Sequence, residues 1–169
     1  MKTISILKNF INVYYYIVLL IFITSLFAFS RSFFTQNTEM VSEVLEMSID
    51  LKPLNFHERM LVLSVILIMY FMYTRAVFLL KNSLGDLSSG NYFSELVINN
   101  FNKIGKLFLI SCAVEFIGRI VLRVIMKKKI GIESDSSVFL FLIMGLFFLF
   151  LSEVFAKAGS IKQENDLTI

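Results

Sequence analysis

Little in this chain supports chemistry carried out by side chains. Its 169 residues include one cysteine, one histidine, one proline and no tryptophan. Cys112 has no second thiol to pair with, so no internal disulfide framework exists. His57 stands alone, no Gly-rich loop precedes a Lys-Ser or Lys-Thr pair, and neither an HExxH motif nor a cysteine cluster occurs. Ser111, Ser152 and Cys112 sit in apolar runs with no evident base to activate them. The expectation is a non-enzymatic protein without metal or cofactor. The single proline and seven glycines also exclude a collagenous or linker-like chain.

Charge is scarce as well. Only 17% of residues are charged and 57% are hydrophobic, against about 25% and about 45–50% in soluble domains. With a mean hydropathy of +0.77, too much apolar surface would stay uncovered for a soluble monomer. The net charge of +3 comes from basic residues that flank apolar runs. Lipid headgroups account for them without direct nucleic-acid binding.

A membrane-spanning helix needs about 20 mostly apolar residues, because it rises ~1.5 Å per residue through ~30 Å of hydrocarbon. Four stretches approach that length: 11–29, 60–80, 107–124 and 137–154. The expected fold is an all-α integral membrane protein, a single domain of four transmembrane helices in an antiparallel bundle. The third span holds Glu115, Arg119 and Arg123, so it requires those groups to face protein or water. Lys2 and Lys8 ahead of a run ending in Ala28-Phe29-Ser30 also fit a signal peptide. The run is longer than a usual signal core, which favours a retained helix.

Basic residues divide almost evenly between the two sets of loops. Lys2, Lys8 and the terminal amine outweigh Arg31 around the first span, which places both termini in the cytoplasm; Lys127-Lys128-Lys129 argue the other way. Tyr14, Tyr15 and Tyr16 open the first span while Tyr70 and Tyr73 lie towards the end of the second, so a hairpin brings both groups to one membrane boundary.

The outer connection, 32–59, is acidic. Glu39, Glu43, Glu46 and Asp50 recur at intervals of four, three and four, the pattern of one helical face, in a short amphipathic helix within 37–51 ended by Pro53. The spacing is not that of a calcium loop, so the face reads as solvated, with attraction of a cationic ligand as the sharper alternative. Residues 84–91 carry turn signals that stop the second helix. Ser94 then caps an amphipathic segment, 93–106, whose stripe of Val97, Phe101, Ile104 and Phe108 is expected at the inner headgroups. A polar tail, 155–169, extends the fourth span.

An ionised residue deep in a span costs about 2.5–3.5 kcal/mol on insertion scales. Glu115 and Arg119 at i, i+4 suit an ion pair, and Arg75 is expected to meet Glu153 or Glu115 across helices. Such pairs act as clamps between helices or as steps in an ion path. Clamps are favoured, because the other spans are almost wholly apolar.

Two patches carry a family resemblance. One is Gly90-Asn91-Tyr92-Phe93-Ser94 followed by Asn102-Lys103-Ile104-Gly105, with Tyr92 where the pattern has proline. The other is Ser152-Glu153-Val154-Phe155, then Ala158-Gly159, then Gln163-Glu164-Asn165-Asp166-Leu167-Thr168-Ile169. In these the chain resembles the YoaS-like family of small bacterial four-span membrane proteins, a domain of unknown function. The resemblance implies a bacterial cytoplasmic-membrane protein beside a small Xre-type helix-turn-helix regulator. The leading expectation is therefore a sensor or tether that binds this regulator through Phe93, Ser94, Lys103, Glu164, Asn165 and Asp166. The alternative is a small transporter, channel or immunity-type protein acting on ions or peptides.

Overall fold

A computed structural model describes residues 2–35, 55–125 and 136–166. It contains four helices, α1 (Lys2–Thr35), α2 (Phe56–Ser88), α3 (Glu95–Ile125) and α4 (Ser136–Asp166), and no strand among the described residues. Each helix overruns the apolar stretch that nucleates it. At ~1.5 Å per residue, even the shortest, of 31 residues, reaches about 46 Å and projects beyond a hydrocarbon core ~30 Å thick. The connection expected over 32–59 is correspondingly shorter, since 32–35 belong to α1 and Phe56–Arg59 to α2. The acidic face of Glu39, Glu43, Glu46 and Asp50, and the basic run 127–129, lie outside the described residues.

Three helices are long and apolar enough to cross a membrane: Thr3–Arg31, Phe56–Ser88 and Ser137–Asp166. Their exposed surface carries Leu20, Phe27, Phe71, Ile143 and Phe150, an apolar coat suited to lipid and untenable in water. Hydroxyls within these helices satisfy themselves locally: Ser25 Oγ donates to Phe22 O at 2.7 Å, Thr74 Oγ to Tyr70 O at 2.7 Å and Ser83 Oγ to Leu79 O at 3.0 Å.

By hydropathy α3 does not qualify as a span, but its packing sets its depth. It runs antiparallel to α2, with Ser94 beside Asp86, Asn100 on Leu79, Ser111 on Met72 and Gly118 near Val65. On its other side it runs antiparallel to α4, with Ile98 on Ser152, Gly105 on Gly145 and Cys112 on Val138. A helix zipped along two apolar neighbours shares their depth. The helices touch only in chain order, α1 on α2, α2 on α3 and α3 on α4. The antiparallel bundle is therefore open, with α2 and α3 in the middle and no contact between α1 and α4 among the described residues.

The core lies where α3 enters between its neighbours. Val97, Phe101 and Ile104 are buried with Ala76 and Leu79 of α2 and Phe148 of α4, and Phe108 packs at the margin. The stripe expected at the headgroups thus takes protein as its apolar partner. Burying an amphipathic stripe between two helices satisfies it as fully as lipid would, and it fixes the rotation of α3. At the α3–α4 crossing the backbones are close. A Cβ on Gly105 would lie 2.7 Å from Leu149 Cγ and 2.8 Å from the Gly145 carbonyl, and one on Gly145 would lie 2.8 Å from Leu109 Cδ2. One glycine from each helix permits the close approach that a Gly-x-x-x-Gly pair would give, a pair that neither helix carries alone.

Between α2 and α3 the chain turns in residues 89–94. The turn signals do stop α2, although Gly85 is still helical. Gly90 has φ +90°. The Asn91 N–H donates to Asp86 O at 3.0 Å and the Gly90 N–H to Leu87 O at 3.3 Å, a Schellman closure that requires a left-handed residue at Gly90. Ser94 then caps α3 as expected: its Oγ accepts from the Val97 N–H at 3.2 Å and donates to Asp86 Oδ2 at 2.7 Å. The carboxylate that ends one helix thereby anchors the cap of the next.

Candidate functional site

The amino end of α1, the carboxyl end of α2, the amino end of α3 and the carboxyl end of α4 meet at one end of the bundle, here termed the N-terminal face. Lys8 Nζ donates to Ser88 Oγ there at 2.9 Å. On this face the 89–94 connection folds against the last turns of α4. Gly159 allows the approach, because a Cβ at that position would lie 3.3 Å from Phe93 Cβ. The Phe93 ring stands edge-on to Phe155 at 6.0 Å, and Phe155 in turn lies 5.6 Å from Phe101 in the core. The loop is thus seated on the bundle by an aromatic chain and by the Ser94–Asp86 bond.

A groove of about 320 Å³ opens between the loop and α4. It is lined by Gly90, Asn91, Tyr92, Phe93 and Ser94 on one side and by Gly159, Lys162, Gln163 and Asp166 on the other. One cation, one carboxylate, two carboxamides and two rings offer donors, acceptors and apolar area together, the mixture that recognises a polypeptide segment better than an ion. Of the residues singled out in the sequence for partner binding, Phe93, Ser94 and Asp166 line this groove. Glu164 and Asn165 lie on the same last turns of α4 but not in its lining, and Lys103 is exposed on α3 away from it. Lys162, Gln163, Gly159, Asn91 and Tyr92 belong to the groove and were not singled out individually. For all of these but Lys162 the signal was present in the two resemblance patches, which are far apart in the chain and adjacent here.

The second candidate is the charge cluster of α3. Arg119 Nη2 donates to Glu115 Oε1 at 2.6 Å and Arg119 Nε at 3.2 Å, and Ser137 Oγ donates to the same oxygen at 2.6 Å. Glu115 was expected near mid-span. The structure sets it opposite Ser137, in the first turn of α4, where a hydroxyl of the neighbouring helix reaches it. Its Oε2 is buried without a hydrogen-bond partner. The cross-helix pair of Arg75 with Glu153 or Glu115 does not form. Arg75 is exposed on α2, its guanidinium 5.3 Å from the Phe78 ring, and Glu153 is exposed on α4. These helices both pack on α3 and not on each other, so the inference from matching depth failed on lateral position.

No curated protein and no solved structure matches the chain. Residues 11–169 match the family model described as "Protein of unknown function (DUF2975)", and with nearly its whole length covered the chain belongs to that family.

Proposed function

We propose that the protein is a non-enzymatic sensor or tether of the bacterial cytoplasmic membrane, with both termini inside, that holds a small helix-turn-helix regulator in the groove between residues 90–94 and the end of α4. The observation that carries this reading is the convergence of the two patches behind the YoaS-like resemblance on one groove of mixed polar and aromatic lining. The groove lies on the face that the orientation argument assigns to the cytoplasm. The acidic outer segment would receive the stimulus, and α2 and α4 would transmit a shift to the groove by favouring one of two bundle packings.

The test is co-purification of the solubilised full chain with the regulator encoded beside it. The unaltered chain is expected to retain the regulator. Lys162→Glu and removal of residues 164–169 are expected to release it while the protein stays inserted, since exposed end residues contribute little to packing. Equal retention by all three proteins would reject the groove.

Transport of an ion or proton is the second reading, and the buried, unpartnered Oε2 of Glu115 favours it. Against it stands the narrow space between α2 and α3 beside Ser111, about 10 Å³, which holds one water at most. Flux into liposomes that Glu115→Gln abolishes would establish this alternative.

A further inference from the structure

A second cleft opens on the N-terminal face, between α1 and α2, independent of the regulator groove. It measures about 410 Å³ and is lined by Lys8, Asn9 and Asn12 of α1, Lys81, Asn82 and Gly85 of α2, and Leu96 of α3. Two cations and three carboxamides surround it, and no acidic side chain is in its lining. Both ammonium groups are positioned from within the fold. Lys8 Nζ is held by Ser88 Oγ at 2.9 Å, and Lys81 Nζ rests over the rings of Tyr15 and Tyr16, 4.5 and 4.6 Å from their centroids. Among the described residues, none of the amides of Asn9, Asn12 and Asn82 is engaged in a side-chain hydrogen bond.

The level of the cleft is as informative as its lining. On α1 the polar side chains of Lys8, Asn9 and Asn12 interrupt an exposed apolar surface that includes Phe10, Val13, Ile17 and Leu20, and on α2 the apolar run ends at Leu80, immediately before Lys81. The cleft therefore sits where α2 changes from apolar to polar and where polar residues break the apolar surface of α1. A basic, amide-lined recess between two helices at that level matches the phosphate of a lipid headgroup in charge, depth and hydrogen-bond donors. Gly85 contributes the room, since a Cβ there would meet nothing within 4 Å.

We infer that this cleft binds the phosphate of an anionic phospholipid, seated between Lys8 and Lys81 and joined by the three asparagine amides. The full chain, placed in nanodiscs of equimolar phosphatidylglycerol and phosphatidylcholine and released for native mass spectrometry, should retain phosphatidylglycerol about fivefold over phosphatidylcholine, with about fivefold lost for each of Lys8→Gln and Lys81→Gln. Gly85→Leu should fill the recess and remove the preference with unchanged melting behaviour, which separates a lost site from a misfolded protein. Lys103→Gln with Lys106→Gln, on the same end but outside the cleft, should leave the preference intact. Equal retention of the two lipids, survival of the preference in Gly85→Leu, or an equal loss with the α3 lysines would overturn the site. Stabilisation of the detergent-purified chain by inorganic phosphate without any lipid preference would overturn the lipid source and assign the cleft to a free anion.

Discussion

Between α3 and α4 the backbones approach until the Gly105 and Gly145 positions have no space for a Cβ, whereas between α1 and α2 the gap is filled by rings and bridged by polar groups. Tyr14 and Tyr73 share a hydroxyl–hydroxyl bond of 2.5 Å, Phe22 tilts against Phe71 at 6.2 Å, and Lys81 lies over two tyrosines. Among the described residues of α1, only Val18, Ser25 and Ala28 are buried. Apolar side chains gain little from leaving lipid for one another, so close van der Waals packing and interhelical hydrogen bonds decide which seams hold. On that basis α2, α3 and α4 form the rigid part of the molecule, and α1 is attached along one edge.

The comparison is broken most directly at the glycine crossing. Gly105→Leu places side-chain atoms on the Gly145 carbonyl and is expected to cost about 3 kcal/mol, the upper range for overpacking, read as a lowered melting temperature in detergent. Gly118→Ala, whose Cβ would sit 3.4 Å from Val65 Cγ1, serves as the ordinary-contact control and should be nearly neutral.

Next comes the charge cluster. Glu115→Ala leaves the Arg119 guanidinium and Ser137 without their shared acceptor and should cost about 2 kcal/mol, less than a fully buried pair because Arg119 remains 35% exposed. Joint replacement of Glu115 and Arg119 by leucine is expected to recover part of that loss, and a double-mutant cycle in the same melting assay measures how much. Asn100→Ala removes a buried donor from the Leu79 carbonyl, 3.3 Å away on α2. That loss should be about 1 kcal/mol, since Ser83 still serves the same carbonyl.

The smallest effect is expected at the looser seam. Tyr14→Phe with Tyr73→Phe should show a coupling of about 0.5 kcal/mol, and hydrogen exchange should rise in α1 before it rises in α3. A larger coupling, or simultaneous exchange, would show that α1 belongs to the rigid core.

Periodicity and composition were enough to read four helices, because a run such as 137–154 admits no other satisfied backbone in lipid. The Ser94 cap and the stop of α2 near Gly90 were legible for the same local reason, the chemistry of a few adjacent residues. The i, i+4 geometry of Glu115 and Arg119 was legible too, being a property of one helix. Contacts between helices were not. Arg75 and Glu153 share a depth and differ in azimuth, and nothing in a one-dimensional pattern specifies which helices are neighbours. Only the tertiary structure made the row open, turned the stripe of Val97, Phe101 and Ile104 towards protein rather than headgroups, matched Gly105 to Gly145, and joined residues 90–94 to 159–166. Each of those depends on how the backbones of separate helices approach, a distance that side-chain volume on both partners sets jointly.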